Sequence, residues 1–246
     1  MVLSVDALGM KREQAKATEL AAHFEEAGPE ALLRWVARQY ADRWVLACAF
    51  GPESLILIDM LSRMQPVVRA FFIDTDFHFP KTLALKDEIL ERYPTLRLEV
   101  LKPRLTVAEQ DASYGEALNK TNPDQCCFLR KVEPLQRALQ GHDCWLSGLR
   151  REHAPTRAQT PMVQWDWQRD MLKVNPLVHW SKSQVWRYIL DHEIPYNQLH
   201  DEGYPSIGCA PCTRPVTSGS ILHQAAQDDR SGRWFGTTKV ECGLHL

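Results

Sequence analysis

Apolar runs that alternate with helical patterns constrain this chain more than any other feature. Trp44–Phe50 (WVLACAF) is the first run, of the kind a buried parallel strand requires, and it breaks at Gly51-Pro52 into a helical pattern over Glu53–Met64. Val67–Ile73 (VVRAFFI) follows, then a helix over Lys81–Arg92, a third strand over Leu96–Leu101 and a fourth over Asp143–Ser147. This βαβ rhythm predicts an α/β fold with a doubly wound, mostly parallel sheet. Two helices precede it: residues 10–27, closed by Gly28-Pro29, and a second with Leu32, Leu33, Trp35 and Val36 as its apolar side. Residues 103–122 read as a helix followed by a loop. Met162–Trp167 reads as a further strand, and Ser181 as the N-cap of a helix over Lys182–His192.

The cysteines divide four against one. Cys209 and Cys212 form a CxxC in GYPSIGCAPCTR, where Gly203, Pro205, Gly208 and Pro211 exclude regular helix or strand. Cys126 and Cys127 are adjacent, at the start of a helical pattern that contains Pro134. Two pairs suffice for a Cys₄ centre, either zinc or an iron–sulfur cluster. Adjacent cysteines offer both sulfurs to one tetrahedral ion only with difficulty, whereas a cubane presents four separate irons, so the spacing favours [4Fe–4S] over zinc. Lys131 would add positive charge one helical turn beyond Cys127. Cys48 and Cys144 lie inside apolar strands and read as core thiols. Cys242 stands apart in ECGLHL, exposed unless the tail docks, and its position suits a nucleophile on a mobile terminal segment. Gly219, Gly232, Gly236 and Gly243 suggest that this segment can move.

Arg150, Arg151 and Arg157 concentrate after the fourth strand, at the predicted ligand edge of the sheet, and DDRSGR adds Arg230 and Arg233 further along the chain. Forked donors of this kind fit phosphate or sulfate. The strand–turn–helix at Gly51-Pro52, with Glu53 and Ser54 opening the helix, is a second candidate anion site. A net charge of −2 opposes general nucleic-acid binding. No run approaches the roughly 18 apolar residues of a membrane span. Seven cysteines without a leader-like N-terminus point to a reducing, cytoplasmic setting.

The motifs CCFLRKVEPL, WLSGLRREHAPTRA, VNPLVHWSKSQVWRYI, IPYNQLHDEGYPSIGCAPCTRPV, RSGRW and ECGLHL, in that order over about residues 43–246, resemble the assimilatory adenosine 5′-phosphosulfate (APS) reductases of the APS/PAPS reductase family. The resemblance implies a sheet of the adenine-nucleotide α-hydrolase (PP-loop) type in one domain over 1–246. Its parts would be N-terminal helices over 1–42, a nucleotide-binding core over 43–215 and a flexible C-terminal segment over 216–246. It also implies a [4Fe–4S] cluster on Cys126, Cys127, Cys209 and Cys212, with Lys131 between cluster and sulfate. Cys242 would be the nucleophile, and Arg157, Arg230 and Arg233 would grip the phosphosulfate. APS would be reduced to sulfite and AMP through an S-sulfonated cysteine, with thioredoxin as electron donor and partner, in the service of cysteine biosynthesis. A homo-oligomer is compatible with the sequence.

The chain departs from the family in two places. Its nucleotide loop reads AFGPES rather than a form close to SFSGAED, and Asp74-Thr75-Asp76 replaces Asp-Thr-Gly. Other readings are a reductase of 3′-phosphorylated PAPS, a PP-loop ATP pyrophosphatase and a non-enzymatic iron–sulfur redox sensor. PAPS-using members of the family generally lack the paired cysteines. The pyrophosphatase has no use for ECGLHL, and the sensor has none for the arginines.

Overall fold

A computed structural model describes residues 5–216, 230 and 232–245, with the backbone alone at 5–8, 10 and 11. The expectation that Gly219 belongs to a moving segment lies outside the described residues. Six strands form one sheet: β1 (Trp44–Ala47), β2 (Val68–Ile73), β3 (Leu96–Leu101), β4 (Cys144–Leu146), β5 (Val163–Asp166) and β6 (Met171–Val174). Their order is β3-β2-β1-β4-β6-β5. All neighbours are parallel except β5, which runs antiparallel to β6. The chain winds outward from β1 to β3, then returns to the other side of β1 with β4. Between β1 and β4 the winding reverses, and the carboxyl ends diverge to leave a crevice where ligands of such sheets bind.

Burial explains which runs became strands. Trp44, Val45 and Leu46 of β1 and all of β4 are buried, because helices cover both faces of the sheet centre. At the edge, β3 exposes Arg97, Glu99 and Val100. The strand expected over Trp44–Phe50 ends at Ala47. Cys48 still donates its amide to the Phe71 carbonyl, but Phe50 takes a positive φ of 55° and turns the chain into the next helix.

The helices are α1 (Val5–Tyr40), α2 (Pro52–Met64), α3 (Pro80–Arg92), α4 (Val107–Tyr114), α5 (Leu118–Thr121), α6 (Pro123–Cys127), α7 (Glu133–Ala138) and α8 (Lys182–Asp191). α1 is two helices joined at a bend: Gly28 has φ 82° and ψ 172°, outside helical space, just before Pro29. α2 buries every residue from Pro52 to Leu61 against the sheet. Each of its Leu and Ile side chains contributes roughly 1.5–3 kcal/mol by leaving water. Thr106 and Ser181 cap α4 and α8 through reciprocal capping boxes with Glu109 and Gln184. Residues 103–122 therefore hold α4 and the single turn α5 rather than one helix and a loop.

The helix expected to start at the cysteines starts earlier, at Pro123, where the Asn122 side chain accepts from the Gln125 amide. From Phe128 to Val132 the turns widen to a π-helix before α7 resumes with Pro134 in its first turn. Proline has no N–H to donate, so the continuous helix opens one turn upstream of it. Among the described residues, no helix is long and apolar enough to cross a membrane.

Candidate active site

The crevice at the carboxyl ends of β1, β2 and β4 opens into a cavity of about 270 Å³. Its walls come from every segment the sequence singled out: Glu53 and Ser54 of α2, Thr75 after β2, Lys131, Arg157, Cys209, Arg230, Arg233 and Cys242. Trp186, Asn197 and His200 close the end near α8. An apolar slot with convergent cations at one end suits a flat ring joined to an anion.

The four paired cysteines meet beside this cavity. Cys126, Cys127, Cys209 and Cys212 line one small enclosed gap together with Asn119, Arg130, Lys131 and Trp234. Burial, then the sulfurs of Cys127, Cys209 and Cys212, push the Cys126 thiol up to about 12. Asn119 donates a weak hydrogen bond to the Cys212 sulfur at 3.9 Å, and Thr75 Oγ1 lies 3.3 Å from the Cys209 sulfur. All seven cysteines are free thiols. Among the described residues no three His, Cys, Asp or Glu groups converge tightly enough on one point for a single ion. Four sulfurs around one gap, with hydrogen-bond donors aimed at two of them, fit a larger cluster with separate corners.

Cys242 is 8% exposed, so the tail is docked and its thiol does not stand in solvent. It packs with Cys127 and Trp234. Leu244 enters the apolar cluster of Val45, Phe71, Leu135 and Trp145, and His245 stacks on Trp145 at 5.6 Å and 5°. Burial opposes ionisation of Cys242, but Lys131, the Leu244 amide, Arg230 and Arg233 outweigh it and hold the thiol below its ordinary value. Lys131 responds in kind: burial acts against its charge, yet Cys209 and Cys242 raise its pKa. Burial and the neighbouring Arg157 lower Arg230 to about 10.

The arginines separate by role. Arg233 lies over the CxxC knuckle, where a Cβ on Gly208 would come within 2.1 Å of its Nη2, and it donates to Ser206 at 3.4 Å. Arg157 donates through Nε and Nη2 to both oxygens of Glu241, at 2.8 and 2.9 Å. Arg150 is 2% exposed and donates to Glu53 at 2.7 Å, with His153 Nε2 on the same oxygen at 2.9 Å. Arg151 turns away from the cavity, donating to the Thr160 carbonyl and reaching His179 and Glu25 of α1. Ser54 donates to the Gly51 carbonyl at 2.9 Å. Glu53 thus sits within the first turn of α2, where the sequence suggested an anion site.

Thr75 and Gly208 lie in segments the sequence singled out, whereas His153, Asn197 and His200 were not legible as site residues. Each of these three belongs to an ordinary polar position until the sheet brings the strand ends together. His200 is buried, its Nδ1 lies 2.8 Å from the Tyr204 carbonyl, and its ring meets Trp186 edge-on at 5.1 Å.

Residues 43–215 match the family model described as the phosphoadenosine phosphosulfate reductase domain. A protein of Gloeobacter violaceus named phosphoadenosine 5′-phosphosulfate reductase is 53% identical over the full length of both chains. One of Shouchella clausii named adenosine 5′-phosphosulfate reductase is 49% identical over 87% of this chain and 86% of its own. Among solved structures, phosphoadenylyl-sulfate (PAPS) reductase from Candida auris in a phosphate complex matches at TM-score 0.71 and 32% identity, over 88% of this chain and 99% of that one. An FMN adenylyltransferase of Candida glabrata matches at TM-score 0.58 with 16% identity, over 92% of this chain and 76% of that one, a likeness of fold alone.

Proposed function

The chain belongs to the phosphoadenosine phosphosulfate reductase family, and from that premise we propose that it reduces adenosine 5′-phosphosulfate to sulfite and AMP, with Cys242 as nucleophile. The observation that carries this reading is the placement of Cys242: a buried thiol among Lys131, Arg230 and Arg233, facing a cavity sized for a nucleotide. The Cys242 thiolate attacks the sulfur of the sulfonucleotide. A new S–S bond forms as the S–O bond to the AMP phosphate breaks, and AMP leaves with that electron pair. Two anions approach one another in this step, and fixed cations around the thiol lower its cost.

The product is an S-sulfonated Cys242. A dithiol reductant of the thioredoxin class then attacks the Cys242 sulfur. Sulfite leaves with the electron pair of the S–S bond, and the resulting mixed disulfide is resolved by the reductant's second thiol. Cys242 returns to the thiolate and the reductant leaves oxidised by two electrons. Free cysteines throughout suit a reducing cytoplasm.

Cys126, Cys127, Cys209 and Cys212 would hold a [4Fe–4S] cluster. Bound there, the cluster would supply concentrated charge beside Lys131 rather than an electron path to the substrate. Lys131 would lie between it and the sulfate end of the cavity.

The names of relatives divide between APS and PAPS, and the protein of 53% identity carries the second name. The test therefore uses both nucleotides. Anaerobically purified protein is incubated with APS or PAPS without reductant, and adducts are located by peptide mass spectrometry. SO₃ on Cys242 from APS, absent in C242S and released as sulfite by thioredoxin, is the expected outcome. Bound APS with Cys242 unmodified would sink the covalent mechanism, and faster sulfonation by PAPS would reassign the substrate.

A further inference from the structure

The cation nearest in kind to an anion receptor is already occupied by the protein itself. Arg157 is 8% exposed and forks onto the Glu241 carboxylate with two hydrogen bonds, 2.8 and 2.9 Å. Thr156 Oγ1 donates to the same carboxylate at 3.0 Å, and Arg230 Nη2 lies 3.4 Å from its other oxygen. The side chain of Glu241 is 9% exposed. A bidentate arginine–carboxylate pair of this burial is among the stronger polar contacts a loop can make. It joins the residue immediately before Cys242 to the short helical turn Pro155–Arg157 that follows β4.

We propose that Glu241 is a positioning residue: its grip on Arg157 latches the C-terminal tail over the cavity and sets Cys242 among Lys131, Arg230 and Arg233. This rests on the reading of Cys242 as the nucleophile and reassigns Arg157 from gripping the sulfonucleotide to holding the tail. Three anchors then bracket the thiol. Glu241 fixes the tail on one side, while Leu244 in its apolar cluster and His245 on Trp145 fix it on the other. The latch is polar and reversible, as it must be, since a buried Cys242 cannot meet a protein reductant. Opening exchanges the Glu241–Arg157 contact for water, which costs little enough to allow turnover.

Alkylation of Cys242 by iodoacetamide in the complete protein, without nucleotide, reads the closed state directly. The latch predicts that E241Q and R157A each accelerate alkylation about ten- to a hundredfold, the range that loss of a charged hydrogen-bonded contact gives. A purely electrostatic effect on the thiol would move them in opposite directions, because one variant removes a negative charge and the other a positive one. The double variant E241Q/R157A should be no faster than the faster single variant. In single-turnover sulfonation both single variants should lower the maximal rate and leave the half-saturating APS concentration within about twofold. Opposite shifts in alkylation, multiplying effects in the double variant, or a rise in half-saturating APS confined to R157A would each overturn the proposal. If wild-type Cys242 takes no SO₃ from APS, the reading of its chemistry fails, and the alkylation comparison still decides the latch.

Discussion

Thr75 and Cys209 are 134 residues apart in the chain, and the threonine hydroxyl lies 3.3 Å from the cysteine sulfur. Thr75 is 1% exposed and lies two residues past the end of β2, so the carboxyl edge of the sheet reaches the cysteine knuckle through this contact. Once Cys209 is a thiolate, only the hydroxyl can donate. Hydrogen bonds to ligand sulfur hold a ligand in place and raise the potential of a cluster. T75V keeps the shape and removes the donor. On the proposed reading of these cysteines as [4Fe–4S] ligands, iron should leave the variant about tenfold faster under a chelator, with a cluster potential more negative than wild type. Unchanged iron retention and potential would mean that the contact does nothing for the centre.

Gly208 has no Cβ because Arg233 occupies that space, with Nη2 within 2.1 Å of where the atom would stand. The obstacle is the far end of a flexible side chain, so G208A should fold and displace the guanidinium. The expected result is a KM for APS raised about tenfold, as for loss of one charged hydrogen bond, with the unfolding midpoint close to wild type. Loss of folding instead would show that the backbone, rather than Arg233, needs the glycine.

Glu53 and Arg150 form a buried pair at 2.7 Å, with His153 on the same carboxylate oxygen. Burial opposes the charge of Glu53, but His153 and Arg150 overcome it and hold the carboxyl far below its ordinary value of 4.5. A depressed carboxyl stabilises the fold above that ordinary value, and the contribution is lost as pH falls below it. E53Q removes the buried carboxylate that Arg150 Nε and His153 share and leaves Arg150 with the more exposed Glu152 at 3.4 Å, so it should cost about 1.5–3 kcal/mol at pH 7. Urea unfolding of the two proteins should converge as pH drops below about 4.5. A difference that stays constant with pH would deny the carboxylate its role.

The sheet was legible because β1 and β4, at its buried centre, are apolar throughout and β2 is broken only by the half-buried Arg69. β6 was not, since Lys173 interrupts it, and no pattern shows that the aromatic ring of Trp145 waits opposite at 4.8 Å. The paired cysteines announced themselves by spacing, and the structure gathers them around one gap. The arginine cluster after β4 could not be resolved from sequence: Arg150, Arg151 and Arg157 sit within eight positions yet face Glu53, Glu25 and Glu241, partners 84 or more residues away. The exposure of Cys242 was equally hidden, because docking depends on Leu244 and His245 finding pockets built by distant strands. The π-helical turn after Cys127 came from Pro134, visible in sequence, whose effect on the turns before it was not.

Lys173 is 2% exposed, and burial lowers its pKa from 10.5 to about 8. Asp166 and Glu241 favour its charge, Arg169 and Arg157 oppose it, and Trp145 offers a ring face. Between about 8 and 10.5 the unfolded chain binds the proton that the folded chain has released, so this group makes stability rise with pH across that window. Below it both states are protonated and the cost of the buried ammonium is fully present, on the order of 3 kcal/mol. K173M removes that cost. Measured by anaerobic urea unfolding, K173M should exceed wild type in stability most at pH 7, and the advantage should shrink steadily up to pH 10. Comparing the two proteins cancels the opposing titration of Tyr40, Tyr188 and the buried thiols, whose raised pKa values act equally in both. A gap that widens with pH would reverse the sign and show Lys173 to be stabilised by Asp166 and Glu241 rather than strained by burial.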